Sequence, residues 1–298
     1  MKYKVVIIGA GVSGMTSAIY LKRAGISCCI IEKNIPGGQI NYTSTIENYP
    51  GNPNILGPDL AYNIYNQVQS LEIPFLFEEV QDIKIMDDCK KVITNNQEIE
   101  TDYILIATGR NPRKLNVLNE KELSGKGVSY CAICDGPLYK NQDVAVIGGG
   151  DSAIKESLYL SNICKKVTII HRRDKLKETK EAVNLKQKNN IEIKYNSEVQ
   201  EFIGKEKLEG IILKDGSKID CNACFIFIGY TPSSKIFSKI KITDKNGYIK
   251  TNATCETKIK GIYAIGDVRK KDIFQIISAM NDGVIASSSI INIEKNSI

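Results

Sequence analysis

Two segments of the chain repeat one pattern of a short apolar strand, a glycine-rich turn and a helix. The first begins KVVIIGAGVSGMTSAIYLKRAG and reaches CCIIEK, and the second begins DVAVIGGGDSAIKESLYLSNI and reaches VTIIHRR. In each segment β-branched residues precede the turn, and apolar residues at helical spacing follow it. Both segments are therefore predicted to be βαβ units, whose strands lie parallel in one sheet.

The small residues of each turn have the spacing of a dinucleotide-binding fingerprint. They are Gly9, Gly11 and Gly14 in the first turn, and Gly148, Gly150 and Ala153 in the second. The first allows the tight turn, the second lets backbone approach a pyrophosphate, and the third lets the helix pack closely on the strand. Because each copy lies between a predicted strand and a predicted helix, dinucleotide binding is favoured over a glycine turn that binds nothing.

The two copies differ at the end of their second strand. Glu32 and His171 follow their fingerprints at the same separation, and Arg172 and Arg173 come directly after His171. A carboxylate at this position accepts hydrogen bonds from a free ribose hydroxyl, so the first copy suits FAD. Guanidinium groups bind phosphate in a fixed fork, so the second copy is expected to prefer NADPH to NADH. The alternative is that the two arginines lie on a solvated turn.

A second repeat indicates how the two units are connected. DYILIATGRNP at 102–112 is similar to CFIFIGYTP at 224–232, and the strand-like GIYAIGDV at 261–268 is expected to return to the first domain. We predict an α/β fold of two Rossmann-like, three-layer domains that bind FAD and NAD(P), the second inserted into the first. The expected boundaries are 1–113 with 243–298 for the FAD-binding domain, and 114–242 for the NADPH-binding domain that carries the C-x-x-C motif.

That C-x-x-C motif lies between the two fingerprints, in YCAICDGPLY, where Asp135 follows Cys131 and Cys134. The spacing permits a reversible disulfide and a lowered thiolate pKa, although by itself it equally fits half of a zinc site. Two dinucleotide sites and one dithiol would together supply a hydride donor, a flavin relay and a two-electron acceptor. Redox chemistry is therefore the preferred interpretation, and Asp135 can move the proton that thiol exchange requires.

A second C-x-x-C pair, Cys221 and Cys224, leads directly into the apolar strand FIFIG. Residues three apart in a strand point to opposite faces, so we expect these thiols to pack in the core rather than bind metal or form a redox pair. No metal site is predicted. The cysteines without motif context are expected to be structural: Cys28, Cys29, Cys89, Cys164 and Cys255.

Composition narrows the class of protein further. The chain has 298 residues, a formal net charge of +6, nine cysteines and one histidine. An odd number of cysteines without an export signal argues against a disulfide framework, and one histidine leaves little for Ser-His or Cys-His catalysis. The basic residues form no concentrated stripe, so nucleic acid is not an expected partner. No apolar run approaches the roughly 18 residues of a membrane span, so we expect a cytoplasmic protein without a membrane partner.

Taken together, the motifs resemble those of the low-molecular-weight, bacterial-type thioredoxin reductases. The similar segments follow the family's order over almost the whole chain: GAGVSG, GGQI (37–40), TIENYPG (45–51), ATG (107–109), CAICDG (131–136), GGGDSA (148–153), HRRD (171–174) and GIYAIGDV. The resemblance implies a homodimer that passes electrons from NADPH through FAD to the Cys131–Cys134 disulfide and on to thioredoxin. It also implies that the inserted domain rotates between these steps.

The resemblance further implies the roles of individual residues. Cys134 would face the flavin, Cys131 would attack the thioredoxin disulfide, and Asp135 would be the acid–base. The resemblance and the first glycine fingerprint together predict the FAD contacts, which are Gly9, Gly11, Ser13, Gly14, Glu32, Lys33, Gly38, Gln39, Asn48, Ala107, Thr108, Gly109, Gly266, Asp267 and Gln275. The expected NADPH contacts are Gly148, Gly150, Asp151, Ser152, Ala153, His171, Arg172, Arg173 and Lys177.

Three residues depart from the family's pattern. Lys177 stands where a third arginine is usual, Phe274 where an arginine precedes the flavin-contacting glutamine, and Tyr230 where histidine is common. Lysine offers charge without a fork, so we expect somewhat weaker selectivity for NADPH.

Two alternatives stay open. The first is a related flavin-dependent disulfide reductase that uses ferredoxin or NADH as donor, or another small dithiol protein as partner. GGGDSA and HRRD argue against ferredoxin, because an enzyme fed by ferredoxin needs no clamp for a 2′-phosphate. The second alternative is a non-catalytic, nucleotide-binding redox sensor, with or without cysteine-bound zinc.

Overall fold

The computed structural model describes residues 1–43, 45–185 and 187–296, and the chain divides into two units. The first unit consists of Met1–Asn41, Gly57–Asn111 and the chain from Thr231 onward. The second consists of Tyr42–Leu56 and Pro112–Tyr230. The second unit is therefore inserted into the first, which is the arrangement that the sequence predicts.

The limits of the units differ from the limits expected from sequence. The first unit resumes at Thr231 and not at 243, because Phe237 and Ile242 are buried in the same core cluster as Val6. Gly229 and Pro232 flank this point of return, but the turn alone does not show to which unit the residues after it belong.

The segment Tyr42–Leu56 also groups differently, with the second unit. It contains an antiparallel pair of short strands, Thr45–Ile46 and Ile55–Leu56. The first of these packs against the Ala132–Asp135 helix, which belongs to the same unit. A contact between parts of the chain so distant in sequence leaves no periodic pattern from which it could be predicted.

The first unit is built on a seven-stranded mixed sheet. Its strands in spatial order are Phe75–Leu76, Cys28–Ile31, Lys2–Ile8, Glu98–Ile106, Lys90–Thr94 and Val80–Ile85, with Ile262–Ala264 also paired to Glu98–Ile106. The strands around Lys2–Ile8 are parallel, and the hairpin at the far edge is antiparallel. The helices are Val12–Arg23, Gly57–Ser70 and Ile276–Lys295, and the short 3₁₀ helices are Gly38–Tyr42, Lys235–Ile240 and Gly266–Val268.

Both faces of this sheet are buried. Val6 and Ile8 lie in one core cluster with Ile104, on one face of the central strands. Val5 and Ile7 are also fully or almost fully buried and point to the opposite face, because side chains alternate along a strand. Burial on both faces explains why the strands read as continuous apolar runs rather than as alternating patterns.

The Ile276–Lys295 helix is, by length and composition alone, apolar enough to cross a membrane, which differs from the expectation that no apolar run approaches this length. It packs along the Val12–Arg23 helix through small residues. A Cβ on Gly283 would lie 2.6 Å from the Ser13 carbonyl oxygen, and the Ser287 hydroxyl donates a 3.2 Å hydrogen bond to the Ser17 carbonyl. These contacts pack one face of the helix against the Val12–Arg23 helix, and 33% of its most apolar stretch is buried.

The second unit contains a five-stranded parallel sheet and a three-stranded antiparallel sheet. The parallel strands in spatial order are Val128–Ser129, Ala223–Ile226, Asp143–Ile147, Lys166–Ile170 and Ile191–Lys194. The antiparallel strands are Val199–Ile203, Gly210–Leu213 and Lys218–Asp220. The helices are Ala132–Asp135, Asp151–Ser161 and Lys180–Leu185, with a 3₁₀ turn at Gly136–Tyr139.

The internal repeat is present in both units. Each fingerprint strand pairs in parallel with the strand that follows it, and on its other side with Glu98–Ile106 or Ala223–Ile226. Those two strands are followed by Gly109 and Gly229, whose φ angles of 67° and 107° only glycine adopts readily. The chain then enters a two-stranded ribbon formed by Arg110–Pro112 and Tyr230–Pro232.

Candidate active site

The first fingerprint turn joins the Lys2–Ile8 strand to the Val12–Arg23 helix. A Cβ on Gly9 would lie 2.5 Å from the Ala107 carbonyl oxygen, and one on Gly14 would collide with the Gly9 carbonyl oxygen. A Cβ on Gly11, by contrast, would meet no atom of the described chain within 4 Å. Two glycines thus serve close packing, and the third leaves an open backbone surface. An open turn at the start of a helix fits the approach of a pyrophosphate.

Glu32 is held beside this turn by two backbone hydrogen bonds. Its carboxylate accepts the N–H of Ala10 at 2.8 Å and the N–H of Asn34 at 2.9 Å. Each carboxylate oxygen keeps a further lone pair for another donor. The fixed carboxylate therefore fits a ribose with free hydroxyl groups.

Gly38 and Gln39 lie in the 3₁₀ helix that follows Glu32 along the chain. A Cβ on Gly38 would lie 3.4 Å from the Gly11 Cα, so this expected contact residue is next to the fingerprint turn. The Gln39 side-chain amide donates a 3.2 Å hydrogen bond to Asn111, which immediately follows the ATGR segment. The Thr108 hydroxyl in that segment donates to the Ser233 carbonyl at 2.6 Å.

The GDV turn also lies close to the fingerprint helix. A Cβ on Gly266 would lie 2.5 Å from the Ser13 Oγ, and Ser13 itself is buried. The Asp267 carboxylate lies 3.6 Å from the Arg110 guanidinium and 3.4 Å from the Lys271 ammonium. Ser13 is therefore placed in the helix packing, while Asp267 belongs to a group of charges.

Three further residues that are expected to bind FAD are Lys33, Asn48 and Gln275. Lys33 forms an exposed 3.0 Å ion pair with Glu79, and Asn48 lies in the Tyr42–Leu56 segment of the second unit. Gln275 is the N-cap of the Ile276–Lys295 helix, where it forms a reciprocal capping pair with Ser278.

Asp282 is a buried acid that the sequence analysis missed. Its carboxylate accepts the N–H of Gly266 at 3.1 Å, the Arg269 guanidinium at 2.7 Å and the Lys271 ammonium at 3.1 Å. These bonds tie the GDV turn and the loop after it to the last helix. An acid within an otherwise apolar helix, in the sequence AMNDGV, was the signal available.

The second fingerprint turn has the same construction as the first. A Cβ on Gly148 would collide with the Phe227 carbonyl oxygen, whereas one on Gly150 would meet nothing within 4 Å in the described chain. The His171 ring lies against Gly149 so closely that any side chain there would collide with it. This turn also leaves an open backbone surface at the start of a helix, so it fits a second dinucleotide.

The basic residues beside this turn have different surroundings. Arg172 and Arg173 are exposed, and in the described part of the chain neither forms an ion pair. Lys177 instead pairs with Asp151 at the first position of the Asp151–Ser161 helix. Partial burial, and then the charges of the two arginines, lower the pKa of His171, so its ring is neutral at pH 7.

Cys131 and Cys134 form a disulfide with their Cα atoms 5.3 Å apart, which confirms the pairing that the motif permits. Cys131 is the N-cap of the Ala132–Asp135 helix, and its sulfur accepts the Cys134 N–H at 3.2 Å. Both cysteines are half-buried. A backbone donor of this kind stabilises negative charge on the Cys131 sulfur when the pair is reduced.

Asp135 lies at the end of the same helix. Its Oδ2 accepts a 2.6 Å hydrogen bond from the Ser129 hydroxyl, and Oδ1 is buried. Burial raises the pKa of the Asp135 carboxyl, and the Ser129 hydrogen bond opposes that rise. A carboxyl whose pKa is raised toward neutrality is suited to give and take protons.

Cys221 and Cys224 pack in the hydrophobic core of the second unit with Phe202 and Ile211, so the expected packing is confirmed. Both thiols are free, and burial raises the pKa of Cys221 to about 12. The other cysteines outside the disulfide are buried except Cys89, which is half-buried.

Comparison with known proteins defines the class. The family profile described as pyridine nucleotide-disulphide oxidoreductase matches residues 3–283, and the chain belongs to this family. Its members are oxidoreductases that use a pyridine nucleotide and a flavin. Two dinucleotide turns and one redox disulfide are the parts that such an enzyme needs.

Relatives narrow the class to the thioredoxin reductases of the low-molecular-weight bacterial type. A curated thioredoxin reductase of Ureaplasma parvum is 42% identical over 292 residues, covering 96% of this chain and 94% of the relative. That of Bacillus subtilis is 39% identical over 296 residues, covering 97% and 93%. The crystal structure of thioredoxin reductase from Streptococcus pyogenes is similar over 100% of this chain and 99% of that one, with a TM-score of 0.95 and 38% identity.

Proposed function

We propose that the chain uses NADPH to reduce the disulfide of thioredoxin, with FAD as the carrier between the nicotinamide and the Cys131–Cys134 pair. The observation that carries this proposal is the disulfide within the unit that has its own open dinucleotide turn. The names of the relatives support thioredoxin as the substrate. Bound FAD would supply the two-electron relay that a nicotinamide and a disulfide need in order to exchange electrons.

The residues proposed to hold FAD surround the first turn. Gly11 presents an open backbone, Glu32 offers a fixed carboxylate, and Gly38 lies beside Gly11. The rest of the proposed set lies in the ATG segment, in the GDV turn and at the start of the last helix: Ala107, Thr108, Gly109, Gly266, Asp267 and Gln275. Ser13 would contribute through its backbone, because its side chain is buried in the helix packing.

The residues proposed to hold NADPH surround the second turn. Gly150 and the first residues of the Asp151–Ser161 helix would bind the pyrophosphate. Exposed Arg172 and Arg173 would bind the 2′-phosphate, which distinguishes NADPH from NADH. Lys177 is a weaker candidate for binding the 2′-phosphate, because its ammonium group already forms an ion pair with Asp151.

The dithiol is proposed to reduce its substrate in two exchange steps. The Cys131 sulfur, stabilised as a thiolate by the Cys134 N–H, would attack one sulfur of the substrate disulfide. Cys134 would then attack the mixed disulfide, which re-forms the Cys131–Cys134 bond and releases the reduced substrate. Asp135 would supply the protons that the leaving sulfurs need.

The proposal extends to the setting of the enzyme. We propose a homodimer in the cytoplasm, without a membrane or nucleic-acid partner. Light scattering during gel filtration tests the dimer, for which the expected mass is twice the 33.0 kDa of the chain.

Anaerobic mixing of the purified, FAD-loaded protein with NADPH, NADH or reduced ferredoxin ranks the electron donors. The expected result is rapid loss of flavin absorbance with NADPH and slower loss with NADH. Faster bleaching by NADH or ferredoxin would favour a related reductase with another donor. Absence of bleaching by all three, together with stoichiometric zinc, would favour a redox sensor.

A further inference from the structure

Ser129 links Asp135 to the first redox cysteine. Its hydroxyl lies 2.6 Å from the Asp135 Oδ2, and its oxygen accepts the Cys131 N–H at 3.1 Å. The other acceptor within reach, the Cys131 carbonyl oxygen, is farther away at 3.4 Å. Ser129 is buried on the Val128–Ser129 strand, which belongs to the parallel sheet and precedes the disulfide.

A serine hydroxyl has only one proton to donate. The shorter distance assigns that proton to Oδ2 of Asp135. The other carboxylate oxygen, Oδ1, is buried and has no hydrogen-bond partner among the residues that the structure describes. The two oxygens of this carboxylate are therefore not equivalent.

We propose that Ser129 is a positioning residue, whose hydroxyl keeps Oδ2 as an acceptor so that Oδ1 of Asp135 carries the proton exchanged with a leaving sulfur. The inference deepens the proposed function and rests on its dithiol chemistry. The bond between Ser129 and the Cys131 N–H holds this acid in register with the cysteine that attacks the substrate.

Other titratable groups around Asp135 do not replace this bond. Tyr139, on the adjacent 3₁₀ turn, has its pKa raised by burial and then by the charge of Asp135, so it is neutral near pH 7. The Asp151–Ser161 helix packs against the Ala132–Asp135 helix and carries Glu156 and Tyr159. Burial raises the pKa of both of these side chains. On Asp135 itself, burial and the Ser129 hydrogen bond act in opposite directions.

The step can be written with its atoms and electrons balanced. The Cys131 thiolate forms a bond to one sulfur of the substrate disulfide, and the substrate S–S bond breaks. Its electron pair leaves on the other sulfur, which takes the proton from Oδ1, and Asp135 is left ionised with Oδ2 still bound to Ser129. A weakly basic leaving thiolate needs no such proton, whereas a strongly basic one does.

The test compares two disulfides of different leaving-group basicity. The FAD-loaded protein is reduced with dithiothreitol, freed of reductant, and mixed with bis(2-hydroxyethyl) disulfide or with 5,5′-dithiobis(2-nitrobenzoate). Bis(2-hydroxyethyl) disulfide has the more basic leaving thiolate. In Ser129→Ala, the rate with this disulfide should fall about tenfold relative to the rate with 5,5′-dithiobis(2-nitrobenzoate), as expected for the loss of one hydrogen bond to a charged group. The rate ratio is measured within one variant, so it does not depend on the amount of folded protein.

Two further variants complete the test. Ser161→Ala removes a buried hydroxyl from the same unit and should leave the ratio unchanged. Ser129→Thr keeps the hydroxyl and should retain the wild-type ratio. Equal slowing with both disulfides in Ser129→Ala, or a lost ratio in folded Ser129→Thr, would overturn the proposal.

The pH profile gives a second readout. The pH profile of the exchange rate should contain one transition that Asp135→Asn abolishes. In Ser129→Ala this transition should move to higher pH, because the hydrogen bond that is lost lowers the pKa of Asp135. An unmoved transition would count against Ser129. These assays use neither NADPH nor thioredoxin. If the wild type fails to reduce thioredoxin with NADPH, but Ser129→Ala still changes the rate ratio as predicted, only the proposed function is refuted.

Discussion

The guanidinium carbon of Arg110 lies 3.6 Å from the centre of the Phe274 ring. Phe274 is the residue that departs from the family's usual arginine before Gln275. The structure shows that a positive charge is still present at this place, supplied from the ribbon strand that follows the ATG segment. Lys271 also lies 5.7 Å from the same ring centre. The Phe274 ring thus makes cation–π contacts with Arg110 and Lys271, which also lie close to the Asp267 carboxylate.

The Arg110–Phe274 contact should be measurable as a coupling free energy. Arg110→Met and Phe274→Leu keep apolar volume and remove the cation and the ring, separately and together. A cation–π contact of this kind contributes about 1 kcal/mol, which a double-mutant cycle in urea unfolding isolates. Additive effects of the two substitutions would show that the contact does not stabilise the unit.

The glycines of the first turn should separate folding from flavin binding. Gly9→Ala places a Cβ 2.5 Å from a carbonyl oxygen at a φ of 107°, so the variant should be strongly destabilised. Gly11→Ala has room for its Cβ and should fold, but the methyl group would obstruct a pyrophosphate. We expect Gly11→Ala to melt like the wild-type apoprotein and to lose bound FAD. Full FAD content in Gly11→Ala would contradict the assigned site.

The strands, turns and cysteine pair were predictable because local sequence determines them. Gly9 and Gly148 need positive φ angles, and Cys131 and Cys134 are one helical turn apart. The grouping of Tyr42–Leu56 and the return at Thr231 were not predictable, because they depend on packing between residues far apart in the chain.

The pairing of Lys177 with Asp151 makes a prediction about cofactor choice. Asp151→Asn removes the carboxylate that competes for the lysine and adds no new charge. Because an exposed pair is weak, we expect the KM for NADPH to fall only about two- to fivefold, with little change for NADH. Lys177→Arg is the companion variant and should also favour NADPH. An equal change for both nucleotides would show that Lys177 does not contact the 2′-phosphate.

The raised pKa of Asp135 makes a prediction about stability. Its folded-state pKa lies above the unfolded value of 3.8, so stability is lost as pH rises from that value through the folded pKa. Asp135→Asn removes this loss. The melting temperature of the variant relative to wild type should therefore increase from pH 4 to neutral pH. A difference that stays constant over this range would contradict the shift.

The residues that sequence reasoning missed share one physical property. Ser129 and Asp282 act through hydrogen bonds to residues on other elements, and Arg110 acts through a ring far along the chain. None belongs to a motif whose spacing has a chemical meaning by itself. A buried acid or serine beside a motif is common in sequences, and only the three-dimensional partners distinguish its role.

Thioredoxin reduction by variants that each replace one cysteine tests the central claim most directly. NADPH oxidation is followed with thioredoxin as acceptor for the wild type, Cys134→Ser and Cys221→Ala. We predict that the wild type and Cys221→Ala turn over at similar rates, because Cys221 is a core residue of the second C-x-x-C pair. Cys134→Ser should lose turnover while still binding FAD. Unchanged thioredoxin reduction by Cys134→Ser would contradict the route through the Cys131–Cys134 disulfide.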